Sequence, residues 1–481
     1  MKLSKLAGSS GLELPEQDVE ISRLTADSRK VQTGTLFAAL PGTRVNGNDF
    51  IASALAGGAN AVLADPSFKP GNNFPVPLII ASDVRRAFAM MAAAFHAPQP
   101  EQLVAITGTS GKTSVAGFVR QIWQSGGMEA ASIGTLGVVS EKLTIYGSLT
   151  TPDTVRLHEL LHDLAAHGVT HTALEASSHG LDQRRLDGVD LAAAAFTNLG
   201  RDHLDYHRDQ EDYFQAKLGL FDRLLAPGRT LVLDSDEAWS DRVVAVGSER
   251  DLRVFTIGET GTGIRLKRCK PDGAGQNLLL QADGRDYQIR LPLIGRFQVS
   301  NALIAAGLAI ATGMEVSTAL GALEHLTGAP GRLEHVGDHV SGAHVFVDYA
   351  HKPDALETVL KTLRPFTRAR LIVVFGAGGD RDHGKRALMG AVAETHADVT
   401  IITDDNPRSE DPKLVRAAIL AQAPLAQEIG DRAEAIHAAV GMLQDGDILV
   451  VAGKGHEEGQ IVGDQTLPFS DHKVLTEALN T

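Results

Sequence analysis

The ten residues Ala105 to Ser114, AITGTSGKTS, close a β-rich apolar run (Leu103 to Ile106) and open a helical one (Val115 to Gln124). Strand, glycine turn and helix N-terminus in that order make a phosphate loop. They aim backbone N–H groups and a helix dipole at one point, where a polyanion is stabilised. Gly108, Thr109, Ser110, Gly111, Lys112, Thr113 and Ser114 are therefore the expected nucleotide-binding stretch. In such a loop the lysine, Lys112, reaches the β- and γ-phosphates and the Thr113 hydroxyl binds their Mg²⁺. The usual NTPase pattern has a glycine six residues before the lysine, where this chain has Ile106, so the loop is shorter and differently shaped. A plain glycine-rich turn is the alternative, and the flanking strand and helix disfavour it.

The 481 residues exceed what one core usually organises and suggest about three domains of ~150 residues each. With 43% hydrophobic and 22% charged residues the composition is that of a folded globular chain rather than a disordered one. Cys269 is the sole cysteine, which excludes an intrachain disulfide and a Cys-based metal site and fits a reducing, cytoplasmic compartment. Residues 1–11 contain Lys2 and Lys5 but no apolar stretch suited to a signal peptide, and the longest apolar run, Ala87 to Phe95, falls far short of the ~20 residues that span a bilayer. No membrane insertion is expected. A net charge of −14, from 45 basic and 59 acidic residues, argues against nucleic-acid binding while leaving room for a phosphorylated small substrate held by local Arg and Lys.

Punctuation suggests the boundaries. APQPE, Ala97 to Glu101, breaks an Ala-rich helix just before the phosphate-loop strand, and TGAPGR, Thr327 to Arg332, separates a helical pair (Val299 to Met314, Ser317 to Leu326) from the strand Val345 to Asp348. The expected domains are 1–98, 99–330 and 331–481. In the last, β-rich runs (Leu371 to Phe375, Val399 to Thr403, Ile448 to Ala452) alternate with helical ones (Asp354 to Leu363, Arg386 to His396, Pro412 to Gln422, Arg432 to Leu443). That rhythm predicts a Rossmann-like, doubly wound parallel sheet. The middle segment repeats it with His171 to Glu175, Ala192 to Thr197 and Thr230 to Asp234, and predicts a mostly parallel α/β sheet.

Open parallel sheets bind ligands past the carboxyl ends of their strands. Glu175 heads EASSHGLDQRR after one predicted strand; NLGRDHLDYH, Asn198 to His207, follows another and leads into a helix containing Lys217. A carboxylate and an imidazole at neighbouring strand ends beside a phosphate loop suit Mg²⁺, with Glu175 the stronger ligand because Mg²⁺ prefers oxygen. Taken singly, Glu175 is more often a helix cap and His203 a residue packed beneath a loop; taken together, they favour the ligand reading. His203 and His207 have the spacing of a zinc-protease helix, but Leu204 stands where that motif needs glutamate. Gly376 to Gly379 has the wrong glycine spacing for a dinucleotide turn, and Asp380-Arg381 puts charge where close packing is wanted.

Across the whole length the chain resembles the Mur ligases, ATP-dependent amide-forming enzymes of peptidoglycan precursor synthesis. GTSGKTS matches the short GTxGKT loop of that family, which accounts for Ile106. Thr150-Thr151-Pro152, EASSHGL, FTNLGRDHLDYH, Asn301 in FQVSNALIAA, Gly331-Arg332-Leu333-Glu334 and DYAHKPD follow in family order. Lys352 stands where threonine is common and Gly200 where serine is frequent; both are mild departures.

The resemblance implies α/β architecture in three domains: a small N-terminal UDP-binding domain, a central P-loop ATPase-like sheet and a C-terminal Rossmann-like domain. It implies that ATP phosphorylates a substrate carboxylate and that an amine attacks the acyl phosphate. Thr113 and Glu175 would hold Mg²⁺, while His203 and a CO₂-derived carbamate on Lys217 would hold or support a second ion. Read by itself, Lys217 in YFQAKLGLF is a solvated helix lysine. Asn301 is placed at the adenine, and Arg332 and Asp348 near phosphates and ribose.

Further correspondences concern the other two substrates. Asp27-Ser28-Arg29 with Gly34-Thr35-Leu36-Phe37 resembles the family's uridine pattern, giving Ser28 to the UDP moiety. Thr150, Thr151, Ser177, Gln183 and Arg185 match positions that hold the UDP-N-acetylmuramoyl-dipeptide, UDP-N-acetylmuramoyl-L-alanyl-D-glutamate. Asp405-Asn406-Pro407-Arg408 matches the DNPR motif of members that add meso-diaminopimelate, with Arg381, Gly453 and Glu457 as further contacts. Arg408 would engage the distal carboxylate bidentately and repel the ammonium that L-lysine carries there. The family also suggests a monomer. A lysine-adding member, a folylpolyglutamate-type ligase sharing only the phosphate loop, and a nucleotide-regulated binding protein without turnover remain as alternatives; the retained metal set argues against the last.

Overall fold

The N-terminal sheet is the simplest part of the computed structural model, which describes residues 1–13, 17–42, 45–147, 149–203, 205–380 and 382–480. Its strands β1 (Arg23–Thr25), β2 (Thr35–Ala38), β3 (Ala59–Ala64) and β4 (Leu78–Ile80) lie in that order and all run parallel. The helix Val84–Phe95, capped by the Asp83 side chain on the Arg86 N–H, buries Val84, Phe88 and Met91 with Leu36 and Leu63 in one apolar cluster. The chain divides into two units, residues 1–264 with 303–319 and residues 265–302 with 320–481.

The first unit also contains the phosphate-loop sheet. Its strands are β5 (Gln102–Thr107), β6 (Ala130–Gly134), β7 (Gly137–Ser140), β8 (Thr144–Ile145), β9 (His171–Glu175), β10 (Leu191–Phe196), β11 (Thr230–Asp234) and β12 (Arg253–Gly258). Their spatial order is β12-β11-β10-β5-β9-β6-β7-β8. The six strands from β12 to β6 are parallel, as the β-rich runs predicted, and β6-β7-β8 turn back as antiparallel hairpins. Strand β5 is covered on both faces, so Leu103, Val104, Ala105 and Ile106 are all fully buried; parallel strands of this kind read as continuous apolar runs.

Register fixes the site. Ile106 of β5 is opposite Glu175, the last residue of β9, and Thr107 is opposite Phe196, the last of β10. The chain past each of these three strands therefore emerges side by side.

In the second unit β13 (Ile264–Asp272), β14 (Gly275–Ala282) and β15 (Arg285–Leu291) are consecutive neighbours, with β14 and β15 antiparallel. In β14 buried positions alternate with less buried ones, a pattern for which the mostly parallel expectation for 99–330 named no strand. A six-stranded sheet follows: β16 (Glu334–Asp338), β17 (His344–Asp348), β18 (Leu371–Phe375), β19 (Val399–Ile402), β20 (Gln427–Glu428) and β21 (Ile448–Ala452), in the order β16-β17-β21-β18-β19-β20. All its pairings are parallel except β16 with β17, so the doubly wound sheet stands with one added antiparallel edge strand. The hairpin β22 (Gly459–Val462) and β23 (Gln465–Pro468) completes the strands. Arg432, fully buried, is held by two hydrogen bonds to buried Asp471 at 2.7 and 2.8 Å, tying the helix Arg432–Gly441 to the helix Asp471–Leu479. No described helix is long and apolar enough to cross a membrane.

Candidate functional site

The helix Lys112–Ser125 starts from Gly111 at φ 85°, and no side chain caps it. That leaves its first turn without the side-chain acceptor that a Ser or Asp cap supplies, the arrangement suited to an incoming phosphate. Gly108, at φ 142°, packs so tightly that a Cβ there would overlap the Thr197 hydroxyl. Thr197 Oγ1 donates to Ser110 O at 2.6 Å, Asn198 Oδ1 accepts from Ser110 N at 3.0 Å, and Thr109 N donates to Asn198 O at 2.9 Å. The β10 end thus splints the loop. Lys112 Nζ donates to Gly108 O and Thr109 O, each at 2.8 Å, folding back over the loop it serves.

Glu175 is buried at the end of β9. Its Oε2 accepts from Thr113 Oγ1 at 3.0 Å and its Oε1 from Thr135 N at 2.9 Å. Burial raises the carboxyl pKa, against the opposing pulls of Lys112, Thr135 and Thr113. A desolvated carboxylate joined to the phosphate-loop threonine is an oxygen donor set that suits Mg²⁺. Lys217, on the helix Gln210–Gly219, is 1% exposed, donates to Gly108 O at 2.8 Å and lies 4.3 Å from the Tyr213 ring centroid. Burial first, and then Lys112, push its pKa well below the usual lysine value. The solvated-lysine alternative is thereby overturned.

His203 sits at φ 53°, half exposed, with its Nε2 3.6 Å from Asp202. Its ring packs 4.9 Å from His179 and 6.1 Å from Tyr213, whose hydroxyl lies 3.2 Å from Thr109 Oγ1. His203 therefore reaches the loop through Tyr213 rather than by a hydrogen bond of its own. His207 is buried against Asp212 at 3.6 Å.

The residues matched to the muramoyl dipeptide form one network. Thr150 Oγ1 is 3.1 Å from Thr135 Oγ1; Thr151 Oγ1 donates to Glu175 O at 2.8 Å and accepts from Ser177 N at 3.0 Å. Arg185 donates to Thr151 O at 2.6 Å and to Gln183 Oε1 at 2.7 Å. Ser177 caps the helix Ser178–Asp182 through Gly180 N, and a Cβ at Gly180 would press on Thr151. Ser28 lies elsewhere, just past β1, in a turn where Arg29 holds the Asp27 carboxyl down at about 2; among the described residues no hydrogen bond joins it to this network.

In the second unit a cavity of about 600 Å³ is lined by Asp405, Asn406, Arg408, Gly453 and Glu457, together with Tyr349, His351 and Lys385. Strand ends explain the grouping: Asp348 of β17 is opposite Ala452 of β21, and Phe375 of β18 is opposite Ile402 of β19. Fully buried Lys454 ties the two motifs, donating to Asn406 Oδ1 at 2.9 Å and lying 3.7 Å from Asp405 and 3.6 Å from Glu457. Asn406 Nδ2 donates to Glu457 Oε2 at 3.1 Å. Arg408, at φ 54°, donates to Gly379 O at 2.8 Å. Pro407 closes against Gly379, where a Cβ would overlap the Pro407 carbonyl. Arg381 lies outside the described residues.

Asn301, Arg332 and Asp348, matched to ATP contacts, also belong to the second unit. Asn301 is buried beside Gln298, to whose Oε1 it donates at 3.2 Å. Arg332 stacks 4.9 Å over the Tyr349 ring. Asp348 accepts from Leu333 N at 2.6 Å and Ala350 N at 2.7 Å, yet burial still lifts its pKa to about 6. Thr135, Lys385 and Lys454 were not singled out from sequence. GKGHE held a signal for Lys454, a lysine between two glycines, whereas Thr135 follows a strand with no motif of its own.

Three family descriptions match consecutive stretches: Mur ligase family, catalytic domain (20–96), Mur ligase middle domain (106–309) and Mur ligase, glutamate ligase domain (331–455). The chain belongs to the Mur ligase family. It is 56% identical over 480 residues, 100% of this chain and 99% of the relative, to the UDP-N-acetylmuramoyl-L-alanyl-D-glutamate--2,6-diaminopimelate ligase of Mesorhizobium japonicum. The Rhizobium meliloti protein of the same name is 55% identical, covering 100% of this chain and 99% of that one. A solved structure of such a ligase superposes with a TM-score of 0.78 at 33% identity, covering 100% of this chain and 99% of that one. Folylpolyglutamate synthase of Mycobacterium tuberculosis, solved with ADP, shares the fold at 20% identity and a TM-score of 0.61, over 77% of this chain and 92% of its own.

Proposed function

We propose that this chain is the ATP-dependent amide ligase that joins meso-2,6-diaminopimelate to UDP-N-acetylmuramoyl-L-alanyl-D-glutamate, in cytoplasmic peptidoglycan precursor synthesis. The observation that carries this reading is the cavity that collects Arg408, Asp405, Asn406 and Glu457 around a single space. Diaminopimelate carries a carboxylate and an ammonium at each end, and this lining offers both signs of charge. The relatives' shared name supports it.

ATP and a carboxylate substrate are both anions, so the task is positioning and charge neutralisation. Lys112 and the first turn of its helix receive the phosphates. Thr113 and Glu175 would hold Mg²⁺, which would supply neutralising positive charge. Lys217, carrying a CO₂-derived carbamate, and His203 would support a second ion. Burial makes this chemistry accessible to Lys217: only a neutral amine adds CO₂, releasing one proton to solvent as the carbamate forms, and burial favours the neutral form. Thr150, Thr151, Ser177, Gln183 and Arg185 would hold the UDP-N-acetylmuramoyl dipeptide, and Ser28 its uridine. A carboxylate oxygen attacks the γ-phosphorus with ADP leaving; the acceptor amine, having lost its proton, attacks the acyl carbon with phosphate leaving.

We assign residues 1–98 to UDP binding, 99–330 to ATP and 331–481 to the amino acid, in a monomer. The test is phosphate release from ATP with Mg²⁺ and the UDP-muramoyl dipeptide, comparing meso-diaminopimelate with L-lysine. Turnover confined to diaminopimelate is expected. Equal turnover with lysine would remove the specificity, and none with either would remove the ligase reading.

A further inference from the structure

Away from both sites, two imidazoles in the second unit converge on one carboxylate oxygen. His335 Nε2 is 2.8 Å and His344 Nδ1 is 2.6 Å from Asp338 Oδ1, and these ligand atoms all lie within 4.8 Å of one another. The sequence does not foretell the grouping. His335 and Asp338 are three apart on β16, and in a regular strand they would face opposite sides of the sheet. The register of β16 against β17 shifts between His335 and Gly337, one extra residue being accommodated there. A bulge of that kind reverses the alternation, so His335, Asp338 and the residue opposite Asp338, His344, share a face. The His335 ring is backed by Phe346 at 5.1 Å and faces the His344 ring at 5.7 Å, which limits where it can turn.

We propose that His335, Asp338 and His344 form a binding site for a divalent transition ion of the zinc class, clipping the edge strand β16 to β17. Two neutral imidazoles and a carboxylate are a donor set that zinc accepts with a water in a fourth position, while Mg²⁺, which prefers oxygen, is disfavoured. Tetrahedral bonds of about 2.0–2.1 Å separate ligand atoms by roughly 3.3 Å, so Asp338 Oδ1 must back away by about half an ångström and the nitrogens close inward. Both Asp338 and His335 are exposed, and these are side-chain rotations. Each imidazole then carries its proton on the nitrogen turned away from the metal. The ion would stabilise an edge strand whose first residue, Glu334, follows Leu333, the N–H of which donates to Asp348 Oδ2 of β17.

The test is calorimetric titration of the full, chelator-treated chain with ZnCl₂, comparing wild type with His335→Ala/His344→Ala and with MgCl₂ as the ion control. His179, His203 and His207 cluster elsewhere and can take zinc themselves, so the reading is the difference between the two proteins. The proposal expects one zinc-binding event to vanish in the double variant, each single variant to weaken it at least tenfold, and the zinc-induced rise in Tm to shrink with it. Identical titrations for wild type and variant would overturn it, as would loss of the event without any loss of the zinc-induced Tm shift in the case of the clip. Should the alanine variant not fold, His335→Gln and His344→Gln keep a polar group facing Asp338 and are read the same way. Ligase activity is a separate readout, so failure here leaves the proposed function standing.

Discussion

Lys217 Nζ donates a 2.8 Å hydrogen bond to the carbonyl of Gly108, bringing a fully buried helix lysine to the first glycine of a phosphate loop 109 residues earlier in the chain. A surface lysine gains nothing from such burial, and the cost of desolvating an ammonium beside Lys112 is high. Conversion to an anionic carbamate would remove that conflict. Lys217→Ala is expected to lower kcat about 10²–10³-fold, the scale of losing one charge-stabilising group. Formate or acetate should restore part of the rate by occupying the vacated anionic position, whereas Lys217→Arg should not respond. Undiminished activity of Lys217→Ala would end the carbamate argument.

Gly134 guards Glu175. A Cβ at Gly134 would overlap the Glu175 carboxylate, whose other contacts are Thr113 and Thr135. Gly134→Ala should therefore displace the proposed Mg²⁺ ligand without touching nucleotide or substrate, lowering kcat by about 10²-fold. Thermal melting should change far less than for loss of a buried core side chain. A variant with normal kcat would show that Glu175 has room the packing does not suggest.

The phosphate loop and the parallel sheets were legible because their signals are local: a glycine turn between a buried strand and a helix, and apolar runs alternating with helical ones. Glu175 was legible as a polar residue at a strand end. Burial of Lys217 was not, since YFQAKLGLF has the same pattern whether its lysine faces water or packs inward; only tertiary contact with Gly108 decides. Strand β16 was missed because EHVGD is polar and bulged, and β14 and β15 because they form a two-faced antiparallel hairpin that a search for βα rhythm passes over. Lys454 had a local signal in GKGHE, but its role in joining that loop to Asn406, 48 residues away, shows only in the tertiary contact.

Two buried groups should tilt the pH dependence of stability in opposite directions. Burial lowers the His158 pKa to about 4. Between 6.5 and 4 the unfolded chain takes a proton that folded His158 refuses, so its contribution is full above pH 6.5 and falls by about 3 kcal/mol as pH drops toward 4. Asp348, raised to about 6, does the reverse: folded Asp348 holds a proton that the unfolded chain has lost, so its contribution is full below about 3.8 and is lost, again by about 3 kcal/mol, as pH rises through 6. Denaturant unfolding at pH 7 and pH 4.5 separates them. On acidification His158→Gln should lose less stability than wild type and Asp348→Asn more; parallel curves for all three would refute both assignments.

Arg408 is held by its surroundings before any ligand arrives. Its guanidinium donates to Gly379 O at 2.8 Å, and a Cβ at Gly378 would stand 2.7 Å from NH1. Preorganisation of this kind cuts the ordering cost that a flexible cation meets on binding. Arg408→Ala should raise the KM for meso-diaminopimelate by about 10–10²-fold, the worth of one charge-assisted hydrogen-bonded pair, while the KM for ATP stays unchanged. Gly378→Ala offers a sharper comparison, because it keeps the charge and disturbs only its position. If geometry matters, Gly378→Ala should weaken diaminopimelate in the same direction as Arg408→Ala; if only charge matters, it should bind like wild type. Arg408→Lys separates the two further, since an ammonium keeps the charge but loses the planar fork that grips a carboxylate through two parallel bonds. Recovery of full diaminopimelate turnover in Arg408→Lys would show that a point charge suffices and that the fork is not what selects the substrate.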